Sequence, residues 1–368
     1  MIKSLSVKNF KSLVDVRVEF TPLNAIVGQN NTGKTSILKA VSAISKVTQV
    51  GNIEEAFGSE WQTPNELISN GLPGLEMEFK GSFCHSNRIF EYSCAIHLPK
   101  KDGREAQINE EILNEKSFVT RDSNIVRRTS RVFDAIRAGM KNENYSLSDE
   151  FTRGCRFVEI IQLNPQFLRN PLHGTFTKTG KVEGSNFSDL LMSLLLDDRA
   201  RFDALEKTFL EIFPGIKALH LKSNSGGGQV FTEFILSGNN RVPARSMSDG
   251  VLMVLGLLTL LYADKERKIF LIEELETHFH ISILEKVIQL FRIFLEQNTD
   301  SQIIFTTHSP YLLNYLEPSE VNVVHMNDKF QTQVKRFSEY SQAEQLSVSF
   351  GTGDIWAMAG EVKIFEDR

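Results

Sequence analysis

Gly28-Gln29-Asn30-Asn31-Thr32-Gly33-Lys34-Thr35 have types and spacing that could hold a chain of phosphates. They fit the pattern G-x4-G-K-[ST]. The apolar run Leu23–Val27 precedes them, and in Ser36–Val47 the residues Ile37, Leu38, Val41 and Ile44 recur at helical spacing. The pattern requires that strand–loop–helix context. Glycine lets the backbone curl until its N–H groups face an anion, and the start of a helix adds a favourable dipole. Lys34 would reach the β- and γ-phosphates, and Thr35 would ligate Mg²⁺. The expected ATP contacts are therefore Gly28, Asn30, Asn31, Thr32, Gly33, Lys34, Thr35 and Ser36.

A second group lies in KIFLIEELETHFH, residues 268–280. A buried apolar strand ending in two carboxylates suits metal and water chemistry. Glu273 would hold Mg²⁺ through water, and Glu274 would orient or deprotonate an attacking water. His278 and His280 have alternate spacing that could serve a metal, but no third ligand is evident and a loop role fits better. Ser248-Asp249-Gly250 opens an apolar helix and offers a hydroxyl and free N–H groups to an anion. In QIIFTTHSPYLL, His308 stands just beyond a buried strand. Alone, these last two would be an N-cap and a strand-end histidine.

The elements that must position these groups are legible as patterns. Residues 2–20 alternate as strands do, and residues 75–98 read as a hairpin turning at His85-Ser86-Asn87. A further strand pair should reach about residue 130. A mostly helical stretch then extends to about 215, with a strand at 156–163 and an N-cap at Ser188. Strands return at 217–222 and 229–236, with Gly226-Gly227-Gly228 as their turn. KIFLI (268–272), QIIFT (302–306) and VNVVH (321–325) read as buried strands of a parallel core. Between the first two lies a helix with Ile283, Val287, Leu290, Phe291 and Phe294 on its apolar face.

The order of the four groups resembles that of ABC-type ATPases. From FKSL (10–13) through GQNNTGKTS, SDG, IEELETHFH and TTHSPYLL to GDIW (353–356), the chain is similar to bacterial AAA-type, OLD-like ATPases, relatives of SMC and RecF heads. The resemblance implies an α/β P-loop NTPase of the ABC-ATPase-head type, with a mixed or parallel sheet core, an antiparallel β subdomain and a helical lobe. It implies ATP and Mg²⁺ as cofactors, Glu274, His308 and Lys34 as catalytic groups, and Gln162 as a residue sensing Mg²⁺ and water. It also implies ATP sandwiched between two copies, with Ser248, Asp249 and Gly250 of one contacting the nucleotide of the other. Two positions depart from the family pattern: Met253, where an arginine or lysine is common, and Leu275, where a proline usually follows the paired acids.

The expected domains are 1–130, a lobe with the phosphate loop and β subdomain; 131–250, a helical lobe with Gln162 and the Ser248 turn; and 251–368, a core with the acidic pair and His308. A net charge of −5 argues against general affinity for nucleic acid. Seven Lys/Arg within 115–141, among them Arg127, Arg128 and Arg131, could meet nucleic acid or an acidic partner, although a solvated helix face is the plainer reading. Cys84, Cys94 and Cys155 are too few for a disulfide framework. Cys84, Cys94 and His97 lack zinc-site spacing. The start lacks a signal-peptide core, and the longest apolar run, Gly250–Tyr262, is too short to cross a bilayer. A cytoplasmic protein with no membrane contact is expected.

Three functions compete. The favoured one is an ATPase that controls a separate effector, a nuclease or toxin, in anti-phage defence, because the segment after His308 lacks the acidic cluster of a Toprim nuclease. The alternative is a RecF/SMC-like repair or recombination ATPase acting directly on DNA. A third is an ATP-gated scaffold that turns over very slowly.

Overall fold

The computed structural model describes residues 1–50, 53–57, 67–69, 76–97, 107–119, 130, 132, 143–154, 160–161, 168–169, 187–223, 230–263, 269–277 and 279–367. It divides into two compact units: 1–158 with 267–271 and 298–368, and 159–266 with 272–297.

In the first unit, β1 (Ile2–Phe10) and β2 (Leu13–Glu19) pair antiparallel through a turn in which Asn9 and Lys11 have positive φ. They begin the sheet β2-β1-β4-β5-β6-β7, with β4 at Glu76–His85, β5 at Arg88–His97, β6 at Gln107–Leu113 and β7 at Lys116–Val119. The expected 75–98 hairpin is present. Ser86 and Asn87 both take positive φ, as a tight two-residue turn requires, so His85 faces Arg88. Phe10 meets Phe57 and Phe79 at 6.0 and 5.5 Å between ring centroids, and Tyr92 stacks on Phe151 at 5.1 Å. Each such buried aromatic contributes roughly 1.5–3 kcal/mol by leaving water. Glu111 is fully buried, where its carboxylate accepts from Tyr92 Oη and Ser130 Oγ at 2.8 and 2.6 Å. Cys94 is buried beside it; burial above all, then the Glu111 charge, pushes the thiol far up and keeps it protonated.

The unit's second sheet carries the buried strands read as a parallel core. β3 (Leu23–Val27), β12 (Ile269–Ile272) and β13 (Gln302–Thr307) are buried at every position. Neighbours run in the order β15-β14-β3-β13-β12, with β14 at Val321–Met326 and β15 at Thr332–Arg336. β13 and β14 are parallel to β3, while β15 returns antiparallel. The C-terminal helix Thr352–Glu366 belongs to this unit, broken at Gly360.

In the second unit, β8 (Ile160–Ile161) is what is described of the strand expected at 156–163. Helices Phe187–Asp197 and Arg199–Ile212 follow; the first begins one residue ahead of the cap expected at Ser188, which therefore lies inside its first turn. β9 (Ile216–Ser223), β10 (Val230–Leu236) and β11 (Arg241–Pro243) form an antiparallel sheet, while the glycine turn 226–228 lies outside the described residues. The helix Asp249–Ala263 is buried without interruption from Leu252 to Leu261. In Ile281–Gln297 the apolar face is Leu284, Val287, Ile288, Leu290, Phe291 and Phe294. Ile283, assigned to that face from sequence, is half-buried, because the true stripe is one residue out of phase at its start. Among the described residues no helix is long and apolar enough to cross a membrane.

Candidate functional site

The loop Gly28–Thr35 lies where its pattern requires, between β3 and the helix Lys34–Val50. Asn31 and Gly33 have φ of 65° and 103°. These left-handed steps turn the chain sharply enough for successive N–H groups to face one side. Gln29, Asn30 and Asn31 form an exposed tip, whereas Gly28, Thr32 and Lys34 are buried. Lys34 Nζ donates to the carbonyl oxygens of Gly28 and Gln29 at 2.8 and 2.6 Å. A phosphate oxygen could replace these carbonyls and pair the ammonium with an opposite charge.

A wall of distant residues holds the loop. Thr332 Oγ1 donates to the Thr32 carbonyl at 2.9 Å and lies 2.7 Å from Ser12 Oγ. A Cβ on Gly33 would stand 2.2 Å from Thr332 Oγ1, and one on Gly28 would stand 2.3 Å from the Val324 carbonyl oxygen. Close approach therefore requires both glycines, and the positive φ of Gly33 requires backbone freedom there as well. Ser12 gives the FKSL segment a role that sequence reasoning missed: it sits in the β1–β2 turn and closes the wall from that side. No pattern at separations near 300 residues could have shown this.

The same unit brings His308 to the loop. β13 and β3 run in register, Thr306 beside Ile26 and Thr307 beside Val27, so His308 and Gly28 are the next residues out of neighbouring parallel strands. The segment behind His308 is fixed by GDIW. Asn314 Oδ1 accepts from the N–H groups of Gly353 and Asp354 at 2.7 and 3.0 Å. A Cβ on Gly353 would stand 1.7 Å from the Pro310 carbonyl oxygen, so only glycine admits this approach.

The second unit holds Ser248–Gly250 and the acidic pair. Ser248 and Asp249 are exposed, and the Ser248 carbonyl accepts the first helical bond, from Leu252 N–H at 3.2 Å. Arg169, which sequence reasoning missed, donates to the Asp249 carboxylate and, at 2.9 Å, to the Arg245 carbonyl, fixing the turn from outside. Met253 is buried at 6% exposure, which explains the missing arginine or lysine there: a charge would have no water.

Glu273 and Glu274 follow β12 directly. The Glu273 N–H donates to the Ile161 carbonyl at 3.4 Å, which sets the end of β8 beside the acidic pair. Gln162 itself lies outside the described residues, as do His278 and the basic side chains of 115–141. Glu274 is exposed with φ 47°, uncommon for a residue with a Cβ, and Thr277 Oγ1 donates to its carboxylate at 3.3 Å. Leu275 is 3% exposed and serves as a core residue where proline is usual. His280 Nδ1 lies 2.9 Å from Ser282 Oγ at the start of the helix Ile281–Gln297. Among the described residues no group of three or more His, Cys, Asp or Glu could hold a metal. Thr35 in the first unit carries a hydroxyl oxygen and Glu273 in the second carries carboxylate oxygens, the donor type that Mg²⁺ prefers.

The chain is 21% identical over 346 residues to an ATP/GTP phosphatase of Helicobacter pylori, covering 86% of this chain and 88% of that one. Over 44 residues it is 50% identical to an OLD nuclease of Thermus scotoductus, a match spanning 12% of this chain and only 8% of the nuclease. Its fold is that of SMC heads. One, bound to the C-winged helix domain of ScpA, matches with a TM-score of 0.57 at 18% identity, over 91% of this chain and 96% of that one. The SMC head domain from Thermotoga maritima matches with 0.53 at 14%, over 91% and 98%. The family model described as "AAA domain, putative AbiEii toxin, Type IV TA system" matches residues 23–314. The chain belongs to that AAA family.

Proposed function

We propose that two copies of this chain pair around Mg-ATP, and that pairing and hydrolysis control a separate effector protein in anti-phage defence. Lys34 neutralises the β- and γ-phosphates, and the N–H groups of residues 30–36 surround them. Thr35, Glu273 and Gln162 hold Mg²⁺, which would supply charge neutralisation at the phosphates. Glu274 orients the attacking water and takes its proton, and His308 contacts the γ-phosphate end. Ser248, Asp249 and Gly250 bind the nucleotide held by the partner copy.

The observation that carries this reading is the contrast between a loop enclosed by its own unit and an exposed serine turn braced by Arg169. A surface turn with free donors at a helix start suits an anion brought by another molecule. The AbiEii toxin description of the family and the OLD nuclease match support the defence role. The SMC head bound to a domain of ScpA supports a protein partner.

Hydrolysis per protein molecule should rise with protein concentration, and ATP should shift the sedimentation of Glu274→Gln from one copy to two. Specific activity independent of concentration, with one copy throughout, would remove the pairing. Strong stimulation by DNA alone would favour the RecF/SMC-like alternative.

A further inference from the structure

The C-terminal helix Thr352–Glu366 inverts the usual order of burial. Its apolar residues Met358 and Val362 are each 53% exposed, while the carboxylate residue Glu361 between them is 6% exposed. The inversion comes from Gly360, whose φ of 70° and ψ of 160° break the helix one residue earlier. No atom lies within 4 Å of a Cβ built there, so glycine is needed for its backbone angles rather than for space.

The turned-in carboxylate meets His325, the residue after Val324, whose carbonyl oxygen lies against Gly28 of the phosphate loop. Its Oε2 lies 3.8 Å from His325 Nδ1 on β14, while Oε1 is buried without a hydrogen-bond partner. Burial raises its pKa; the Gln29 backbone amide, the His325 ring and the Lys34 charge, all close by, pull it back only in part. A buried carboxylate with an unsatisfied oxygen costs stability, so packing gives no reason for it. Its effect falls on the loop instead: it sets a negative charge behind Gln29 and Lys34, where the phosphates of a nucleotide would bring more.

We propose that Glu361 tunes the affinity of the loop for nucleotide phosphate: its charge, aimed by the Gly360 break, competes with phosphate for Lys34 and so opposes phosphate binding. The inference rests on residues 28–35 being the nucleotide site. Lys34 donates to the Gly28 and Gln29 carbonyls with a counter-charge behind it. Nucleotide must then bind against that charge, which weakens its hold and eases release.

The test measures Mg-ATP and Mg-ADP binding, with KM and kcat, for wild type, Glu361→Gln, Glu361→Asp and Lys34→Ala. Glu361→Gln keeps the shape and removes the charge, so both nucleotides should bind about tenfold tighter, the scale of one like-charge contact in a half-buried site. KM should fall by a similar factor, with kcat changed by less than about twofold. Glu361→Asp keeps the charge and should stay near wild type. Damage to the fold cannot tighten binding, so the sign separates this role from a structural one. Unchanged or weaker binding by Glu361→Gln, while Lys34→Ala has lost nucleotide, overturns the inference alone. Retained binding by Lys34→Ala overturns the site on which it rests.

Discussion

The loop Gly28–Thr35 and the turn Ser248–Gly250 both gather backbone N–H groups at a helix start, yet they are built in opposite ways. The loop is walled by Ser12, Val324 and Thr332 and backed by Glu361, so a Cβ on either glycine would collide with it. The serine turn is exposed and braced from outside by Arg169. A site that binds its own ligand needs preorganised donors that do not move on binding. A surface offered to another molecule needs only to be presented correctly. The difference implies that substitutions in the first region cost folding and affinity together, while those in the second cost activity with little effect on stability.

The sharpest way to break the chemistry while sparing both regions is Glu274→Gln. It should slow hydrolysis by roughly 10²–10⁴ and leave ATP binding intact. Near-normal turnover would move the catalytic role to another acid of the group.

Stability tests the comparison itself. Gly28→Ala forces a methyl against the Val324 carbonyl and should cost about 1–3 kcal/mol in thermal or denaturant unfolding. Ser248→Arg, on the exposed turn, should cost under about 1 kcal/mol. Equal losses would mean that the serine turn is as enclosed as the loop.

The smallest effect expected is a pH dependence. The pKa of Glu361 is raised in the folded protein, so folding favours its protonated form and stability falls as pH rises through the folded value. Glu361→Gln should therefore melt higher than wild type at neutral pH. The difference should shrink as pH drops toward the ordinary carboxylate value of 4.5. A constant difference across that window would assign it to something other than ionisation.

Much of the fold was legible because its signals are local. The apolar runs of β3, β12 and β13, the hairpin at Ser86-Asn87 and the loop spacing each lie within a dozen residues. What escaped was set by distant contact or by phase. Thr332 and Ser12 reach the loop from opposite ends of the sequence, and Arg169 reaches Asp249 across 80 residues. Leu284 and Ile288 displaced Ile283 because a helix periodicity fixes spacing better than starting phase. Glu361 reads as a surface residue between Met358 and Val362, and only the break at Gly360 turns it inward.

The central claim is that each nucleotide is completed by a second copy, and one mixture tests it. Lys34→Ala lacks a working loop but keeps its serine turn; Ser248→Arg keeps the loop but blocks the turn. Each should be inactive alone, since every paired state lacks one half of both sites. Mixed in equal amounts they can form a pair with one complete site, and hydrolysis should return to a measurable fraction of wild type. Full activity of Ser248→Arg on its own as a single copy, or a mixture as inactive as its components although the mixed pair forms, would contradict the account.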